Sequence, residues 1–327
     1  MGRAIRVRDE RWPLAHAFVI SRGAKTEAHV LVAEVEEDGV RGRGEAVPYG
    51  HYGETIDSVR AQIEDARPGL EQGGGRMGLQ ALLPPGAARN ALDCALWDLE
   101  AKRLGVRAWT LAGRSRLDPV KTAYTLSLGP PEAMAQAART HARRPMLKLK
   151  IGGPDDLDAV AAVRAAAPRS RLIVDANEAL SFDDLRRLAG EFARLDVQLV
   201  EQPLAAGADA DLEGFDSPVP LCADESLHTR AELAQCARRY AVANVKLDKT
   251  GGLTEALALA GEARALGMGV MVGCMVATSL AMAPAMIVAQ GADFVDLDGP
   301  LLLARDREPG LSVTGSMLAP PPAELWG

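Results

Sequence analysis

Short apolar runs that end in charged residues recur at even intervals through the middle of the chain. Five of them, MLKLK, RLIVD, QLVE, VPLCAD and ANVK, end in the charged residues Lys150, Asp175, Glu201, Asp224 and Lys246. Successive members are 25, 26, 23 and 22 residues apart. This interval fits one strand, one helix and two loops, the repeating unit of a parallel α/β barrel. Because the carboxyl ends of barrel strands meet at one mouth, we expect these charges to converge there.

Eight strands are predicted between about residue 120 and residue 298, with amphipathic helical stretches between them. Eight is the number of strands that closes a barrel filled by side chains. The predicted strands are 121–127, 146–150, 172–175, 198–201, 219–224, 243–246, 269–273 and 294–298.

The amino-terminal part has a different pattern. Strands are predicted at 18–20, 28–36 and 42–46, with a turn at Glu37-Asp38-Gly39, and helices at 55–66 and 87–105. We therefore predict an α+β capping domain over residues 1–113 and a TIM-like α/β barrel over residues 114–300. A Pro- and Gly-rich tail over residues 301–327 is expected to return to the capping domain.

Composition and charge restrict the class of partner and the cellular compartment that we expect. The net charge of −7 and the pI near 5.4 give no basic surface for nucleic acid, so we expect a small-molecule substrate. We expect no signal peptide and no membrane span, because no uncharged apolar run is long enough for either. The four cysteines are scattered without a CxxC pair, which favours reduced thiols and a cytoplasmic protein. The oligomeric state stays open, a homo-oligomer included.

Two lysines lie two residues apart on one predicted strand. Lys148 and Lys150 should therefore project to the same face. Mutual repulsion and partial desolvation would lower a lysine pKa toward the range where it acts as a base. Taken alone, the pair could also be a solvated strand end.

Three carboxylates, Asp175, Glu201 and Asp224, each close an apolar strand. Converging without a cation, they would repel one another and become protonated. Hard oxygen ligands favour Mg²⁺, for which Mn²⁺ could substitute; a network of salt bridges with the lysines is the alternative. Lys246 should lie across the mouth from the lysine pair, and Lys249 is expected to face away from it. A metal between opposed lysines suits a racemase or epimerase, although one lysine with the metal would support elimination.

The strand ends KLKIG, VDAN, VEQP, ADES and NVKLDKTGG, together with ARNALDCALWDLEAK, resemble the enolase superfamily in its muconate-lactonizing subgroup. The resemblance covers essentially the whole chain and implies a (β/α)₇β barrel. FVISRGAKTEAHVLVAEVEEDG, GEAVPYGHYGET, VGCMVATSLA and DLDGP resemble its dipeptide epimerases, especially the L-Ala-D/L-Glu epimerases of murein peptide recycling. Such enzymes invert the Cα of the C-terminal residue by two-base proton transfer through a metal-stabilised enediolate.

The resemblance also implies roles for individual residues. Lys150 and Lys246 would be the two acid/base lysines, Lys148 would tune its neighbour, and the three carboxylates would bind one Mg²⁺. The remaining residues would contact the substrate: Asp296 and Asp298 its ammonium group, Arg22 a side-chain carboxylate, and Thr125, Tyr52, Gly273, Cys274 and Met275 the rest of the dipeptide.

Several other functions are alternatives to this one. On the same site, o-succinylbenzoate synthesis, N-acylamino acid racemisation and muconate cycloisomerisation are disfavoured by DLDGP, because their substrates carry no free ammonium. A Schiff-base aldolase would need no metal. A non-catalytic binding barrel would leave the set of bases and ligands without a use.

Overall fold

The amino-terminal sheet is antiparallel and follows chain order. In the computed structural model, which describes residues 3–327, its strands are β1 (Ala4–Ile20), β2 (Gly23–Glu37) and β3 (Val40–Ala46). The first strand is far longer than the predicted segment 18–20. Most of its residues are exposed or half-buried, because it lies at the edge of the sheet. Few apolar positions therefore marked it in the sequence.

Helices cover one face of this sheet. A 3₁₀ turn (Gly50–Tyr52) leads to α1 (Ile56–Glu71), α2 (Arg76–Leu82), α3 (Ala87–Leu104) and α4 (Ala108–Leu111). Thr55 and Ser58 form a reciprocal capping box that begins α1. Gly105, with φ 65°, ends α3 in the left-handed conformation that favours glycine. The helix α2 was not predicted, since it follows a glycine-rich break.

The strand β3 lies directly against the backbone of α3. A Cβ atom on Gly42 would lie 2.1 Å from the Ala95 carbonyl oxygen, and one on Gly44 would lie 2.1 Å from that of Ala91. The two glycines are on the same face of the strand because they are two residues apart. Only glycine allows this approach between strand and helix.

The barrel sheet has eight parallel strands in chain order. They are β5 (Tyr124–Leu126), β6 (Met146–Lys150), β7 (Arg171–Asp175), β8 (Val197–Glu201), β9 (Leu221–Ala223), β10 (Val242–Val245), β11 (Gly269–Gly273) and β12 (Phe294–Asp296). Between the last strand and the start of the first, the Ala123 amide donates to the Val295 carbonyl at 2.8 Å. The predicted barrel with an α+β cap is confirmed. One predicted strand, 121–127, is divided: its beginning forms a separate strand, β4 (Val120–Lys121).

Helices cover the outside of the barrel. They are α5 (Pro131–His141), α6 (Leu157–Ala166), α7 (Phe182–Arg194), α8 (Arg230–Cys236), α9 (Leu247–Thr250), α10 (Leu253–Ala265), α11 (Ser279–Val288) and α12 (Gly299–Leu302), with 3₁₀ turns at Pro154–Asp156 and Ala210–Leu212. Between β8 and β9 that second turn is the only helical segment. Across residues 3–327, no helix has the length and apolarity needed to span a bilayer.

The carboxy-terminal tail contacts both parts of the molecule. Its strands β13 (Val313–Thr314) and β14 (Met317–Leu318) form a small sheet with β4. Further on, the Trp326 indole donates to the Cys94 carbonyl at 3.1 Å, and the Gly327 amide donates to Asp98 Oδ1 at 2.7 Å. Both acceptors belong to α3 of the capping domain, so the tail does return there. The exact limits of the domains stay a prediction.

Replacing Gly44 by Ala should destabilise the protein, because the new methyl group overlaps the α3 backbone. We expect the free energy of unfolding to fall by about 1–3 kcal/mol, measured by urea denaturation. Gly190→Ala in α7 is the matched control, since nothing lies within 4 Å of a Cβ there. Equal stability of the two variants would contradict this packing.

Candidate active site

Side chains fill the barrel in layers. A ring of eight buried apolar residues, one from each strand position, fills the amino-terminal half: Ala123, Met146, Ile173, Leu199, Cys222, Val242, Met271 and Phe294. Two residues further along, the same inward face carries Thr125, Lys148, Asp175, Glu201, Asp224, Asn244, Gly273 and Asp296. Three of the predicted charges, Asp175, Glu201 and Asp224, therefore lie in the second layer of a barrel packed with side chains, and Lys150 and Lys246 lie two residues further along their strands.

Lys148 is at the centre of this charged layer. Its Nζ atom lies 2.9 Å from Asp175, 2.7 Å from Glu201 and 2.8 Å from Asp296. Its side chain is 3% exposed, so water cannot replace these partners. One ammonium group thus joins three strands that are distant in sequence.

The other two predicted lysines lie on opposite sides of the cavity. Lys150 Nζ donates to Asp175 Oδ2 at 2.6 Å and to Asn177 Oδ1 at 2.9 Å. Lys246 Nζ donates to Asp224 Oδ2 at 2.7 Å. Since β6 and β10 are four strands apart in an eight-stranded barrel, these two ammonium groups approach from opposite walls.

Nearby carboxylates raise the pKa values of two of the buried lysines. Burial alone would lower the pKa of Lys148, but Asp175, Asp296 and Glu201 outweigh it and hold that pKa well above its usual range. The pKa of Lys246 is likewise raised, because Asp224 and Glu201 outweigh its burial. At Lys148 the carboxylates therefore oppose the lysine repulsion that the sequence indicated. The attraction of the nearby carboxylates for each ammonium group is stronger than the repulsion from the neighbouring lysine.

The three carboxylates have the donor chemistry of a hard-cation site. They offer only oxygen atoms, and Asp175, Glu201 and Asp224 are all 0–1% exposed. Glu201 Oε2 and Asp224 Oδ1 each lie 2.7 Å from a lysine ammonium. Neither contact has hydrogen-bond geometry, so both oxygens are buried acceptors without a hydrogen-bond donor. This set of oxygens fits a divalent cation such as Mg²⁺.

Lysine ammonium groups lie between these carboxylates. Within residues 3–327, no three acidic, His or Cys side chains are arranged closely enough to hold a metal ion as they stand. The Lys148 ammonium bridges Asp175 and Glu201. The salt-bridge network and the metal site considered from the sequence therefore involve the same oxygens.

Lys249 also belongs to this centre, contrary to expectation. Its Nζ atom lies 2.7 Å from Asp224 Oδ1 and donates to the Asn244 carbonyl at 3.0 Å, and its side chain is 0% exposed. The prediction that it faces away from Lys246 assumed that the strand continues. Instead the chain turns into the short helix α9 after Lys246, and the side chain returns to Asp224.

A second acidic pair lies at the opposite edge of the layer. The Thr125 amide donates to Asp298 Oδ2 at 2.6 Å, and burial together with Asp296 raises the pKa of Asp298 to about 7. Asp296 Oδ2 is held by Lys148, whereas its Oδ1 is buried without a hydrogen-bond partner. An unpartnered carboxylate oxygen beside a second carboxyl group suits a cationic ligand group.

These residues surround one cavity of about 610 Å³, within the usual range for small-molecule sites. Its lining includes Arg22, Tyr52, Thr125, Lys148, Lys150, Asp224, Lys246, Cys274, Met275, Asp296 and Asp298. Asp175, Glu201 and Gly273 are not among the described residues that line it. Gly273 contributes through its lack of a side chain. A Cβ there would lie 3.0 Å from Lys246 Cε, so glycine leaves space for that lysine.

Arg22 joins the capping domain to the barrel at the rim. It follows β1, and its guanidinium lies 2.7 Å from Glu225 Oε1 and 3.1 Å from Glu178 Oε2. It also donates to the Asn177 carbonyl at 3.0 Å and to the Tyr49 hydroxyl at 3.2 Å. The Glu225 side chain is 1% exposed. Removing the partner of such a buried charge typically costs roughly 3–5 kcal/mol.

Lys25, three residues after Arg22, is held much more loosely. Its Nζ lies 4.9 Å from the centroid of the Tyr49 ring and faces the same cavity. No carboxylate pairs with it in the part of the chain that the structure describes. A cation–π contact made by an exposed lysine such as this one contributes only about 0.5–1 kcal/mol. The rim therefore has one strongly paired cation and one weakly held cation.

The sequence prediction missed several of these residues. Asn177, Glu178 and Glu225 come directly after the strand ends that carry Asp175 and Asp224. Asn177 and Glu178 have φ angles of 42° and 70°. Such left-handed conformations cost free energy in residues with a Cβ and occur often at functional sites. The motifs VDAN and ADES could be recognised in the sequence. The pairing of Glu225 could not, because its partner Arg22 is 203 positions away.

Comparison with known proteins identifies the family. A model described as "Enolase C-terminal domain-like" matches residues 132–319. A second, "Mandelate racemase / muconate lactonizing enzyme, N-terminal domain", matches residues 3–113. The chain belongs to the enolase superfamily, within the mandelate racemase and muconate-lactonizing group, as the strand-end motifs predicted.

Its relatives in that family include amino acid epimerases and racemases. The chain is 49% identical to the L-Ala-D/L-Glu epimerase of Escherichia coli, covering 95% of this chain and 98% of that protein. It is 42% identical to the N-acetyl-D-glutamate racemase of a Pseudoalteromonas species, covering 91% and 95%.

Solved structures agree with this assignment. One is a crystal structure of an Agrobacterium tumefaciens enolase family member with bound sodium and L-Ala-L-Glu and an ordered loop. It has a TM-score of 0.97 and 50% identity, and the comparison covers 99% of this chain and 100% of that one. Dipeptide epimerases from Methylococcus capsulatus and Enterococcus faecalis, each complexed with Mg and a dipeptide, have TM-scores of 0.90 and 0.88 at 32% and 27% identity. Each comparison covers 98% of this chain and 98% of the other.

Lys249→Met should destabilise the protein, because it leaves an oxygen of buried Asp224 without its ammonium. We expect a loss of about 3 kcal/mol in the free energy of unfolding, at the lower end for a buried pair because Lys246 still contacts Asp224. Urea denaturation in EDTA measures it. The control is Lys121→Met on the exposed end of β4, for which we expect a change within about 0.5 kcal/mol. Equal effects would contradict the structural role of Lys249.

Proposed function

We propose that this protein is a Mg²⁺-dependent dipeptide epimerase that inverts the Cα of the C-terminal residue, with L-Ala-D/L-Glu as its preferred substrate. The observation that carries the proposal is the position of Lys150 and Lys246 on opposite walls of one cavity. A carbon between them can lose a proton to one amine and gain a proton from the other, which inverts its configuration. The E. coli relative, named for this activity, supports the substrate.

The charged residues at the barrel mouth would each have a defined task. Lys150 and Lys246 would exchange the α-proton on opposite faces, and Lys148 would place positive charge beneath the substrate carboxylate. The carboxylates Asp175, Glu201 and Asp224 would hold Mg²⁺. When bound, the ion would stabilise negative charge developing on the substrate carboxylate and lower the pKa of the nearby ammonium groups. The cap over the cavity would exclude water.

The ends of the dipeptide would be bound by groups of opposite charge. The unpartnered Asp296 Oδ1 and the neighbouring Asp298 suit the substrate ammonium. At the rim, the cationic residues Arg22 and Lys25 suit an acidic side chain. Thr125, Tyr52, Cys274 and Met275 would line the peptide backbone between these ends. We also infer a small-molecule partner only, a role in recycling cell-wall peptides, and a location in the cytoplasm.

The test is proton exchange in D₂O. With Mg²⁺, L-Ala-L-Glu and L-Ala-D-Glu should each gain deuterium at the glutamate Cα and reach the same mixture of diastereomers. Lys150→Gln and Lys246→Gln should each lower epimerisation by about 10²–10⁴-fold, with exchange surviving from one diastereomer at most. Lys121→Gln, far from the cavity, serves as the control. EDTA should abolish exchange, and added Mg²⁺ should restore it.

Two results would reject this function. Epimerisation that persists in either lysine variant would remove the two-base mechanism. Activity that survives EDTA, together with trapping of a carbonyl substrate by borohydride, would favour a Schiff-base aldolase instead.

The second candidate is racemisation of an N-acylated amino acid. It is favoured by one observation, the 42% identity to an N-acetyl-D-glutamate racemase. Such a substrate has no ammonium group for Asp296 and Asp298. Burial and Asp296 raise the pKa of Asp298 to about 7, so its carboxyl group can be neutral when no ligand ammonium is bound.

The variant Asp298→Asn separates the two candidates. If the site binds a dipeptide ammonium, kcat/KM for L-Ala-L-Glu should fall about 10- to 100-fold, the range for a charged hydrogen bond. Exchange of N-acetyl-glutamate should change much less. Kinetics of deuterium incorporation on both substrates measure this, and the opposite pattern would favour the racemase.

A further inference from the structure

We propose that Asp248 is a positioning residue through which the capping domain holds Lys246, one of the two bases, in place. Asp248 lies two residues after Lys246, in the short helix α9, and its carboxylate contacts the cap. This inference rests on the proposed epimerase function. It gives the cap helix α3 a part in the proton transfer of one lysine and not of the other.

The carboxylate of Asp248 is held by two different elements of the cap. Its Oδ1 atom accepts from the Val47 amide at 2.9 Å and from the Asn90 side-chain amide at 2.9 Å. Val47 directly follows β3, and Asn90 belongs to the first turn of α3. Asp248 is 7% exposed and Asn90 is 2% exposed, so these donors replace water around the carboxylate. One oxygen atom therefore joins the cap sheet and the cap helix to α9.

Arg89, next to Asn90, holds the other end of α9. Its guanidinium donates to the Thr250 carbonyl at 2.7 Å and to the Gly251 carbonyl at 3.2 Å. Carbonyl groups at the end of a helix have no partner within the helix, so this arginine supplies the donors that they lack. A Cβ on Gly251 would overlap the Arg89 side chain, and glycine allows the approach. Neighbouring residues of one cap helix thus fix both ends of α9.

The same contact continues one turn further along α3. Asp93 Oδ2 accepts from the Thr254 amide at 2.9 Å, and its Oδ1 accepts from the Thr254 hydroxyl at 2.6 Å. A Cβ on Gly252 would lie 2.5 Å from Asp93 Cβ, so the two backbones are in close contact here. The whole segment 248–254 is therefore docked on α3. This gives the polar residues of the ARNALDCALWDLEAK motif a use beyond apolar packing.

The position of α9 determines the position of Lys246. Lys246 is the residue that precedes the helix, and its carbonyl accepts from the Lys249 and Thr250 amides, both at 3.0 Å. A shift of α9 relative to the barrel would therefore move the Lys246 backbone with it. Proton transfer requires the reacting atoms to lie close together, and a displacement of about 1 Å can cost about 10²-fold in rate.

Lys150 is held in a different way. It lies on β6 in the opposite wall, and its ammonium donates to Asp175 and Asn177 at the end of β7. Across residues 3–327, no hydrogen bond joins α3 to β6 or β7. Weakening the contact between α3 and α9 should therefore impair Lys246 and spare Lys150.

The experiment measures how fast the recovered starting diastereomer gains deuterium in D₂O with Mg²⁺. Removal and return of a proton on one face involves a single lysine, so L-Ala-L-Glu and L-Ala-D-Glu report on the two lysines separately. Asp248→Leu removes the acceptor at similar size. It should lower this exchange about 10- to 100-fold for the one diastereomer that also loses it in Lys246→Gln. For the other diastereomer the rate should stay within about threefold.

Two conservative variants and a matched control separate positioning from a general loss of structure. Asp248→Asn keeps an acceptor oxygen and should retain most of the rate. Asn90→Ala leaves Asp248 the Val47 amide, so it should change the same diastereomer by a smaller factor, even if Asp248→Leu does not fold. Trp97→Phe removes another hydrogen bond from α3, made to the Thr254 hydroxyl at 3.0 Å. Thr254 remains held by Asp93, so the ratio of the two rates should not change.

Combining variants tests whether Asp248 acts through Lys246. Added to Lys246→Gln, Asp248→Leu should have no further effect on the exchange that survives. Added to Lys150→Gln, it should lower the surviving exchange by the same factor as in the wild-type protein.

The outcomes distinguish this inference from the proposed function. Equal loss of exchange from both diastereomers in Asp248→Leu and Asn90→Ala, or no loss from either, overturns the inference and leaves the epimerase standing. A further loss when Asp248→Leu is added to Lys246→Gln also overturns it. If the wild-type protein exchanges neither dipeptide, the proposed function fails and the inference fails with it.

Discussion

The structure depends on the balance of charge inside the barrel mouth. Four ammonium groups and a comparable number of carboxylates are buried there, where neither sign would be tolerated without the other. Lys148 shows the constraint most clearly, because its ammonium contacts carboxylates from three different strands. Strand order, strand length and the absence of a side chain at Gly273 together allow these groups to meet at the mouth of the barrel. The same requirement makes the layer receptive to a cation and to an anionic substrate.

Much of this centre was predictable because its geometry is local. A strand has a period of two, and a parallel barrel aligns all its strand ends. The spacing of the charged residues therefore predicted which side chains would meet. The lengths of β6 and β11 were also predicted correctly, since apolar residues alternate with lysines in β6 and fill β11 between two glycines.

The remaining features depend on contacts that no local pattern records. Lys249 was predicted to point away because the strand was assumed to continue, whereas the helix α9 returns its side chain to Asp224. The engagement of Arg22 depends on Glu178 and Glu225, which lie on two separate barrel loops. Most of β1 and the whole of α2 were missed, because edge strands and short half-exposed helices have too few buried positions to produce a clear period.

The apolar ring beneath the charged layer has a consequence for evolution. Apolar packing and chemistry occupy successive inward positions of the same strands, two residues apart, so the side chains of the upper layer can change while the packing of the lower ring is kept. An ancestor that kept the lower ring, and the balance of charge above it, could test new side chains there without unfolding. Related reactions could then evolve on one barrel through few substitutions, all of them in the side chains above the apolar ring.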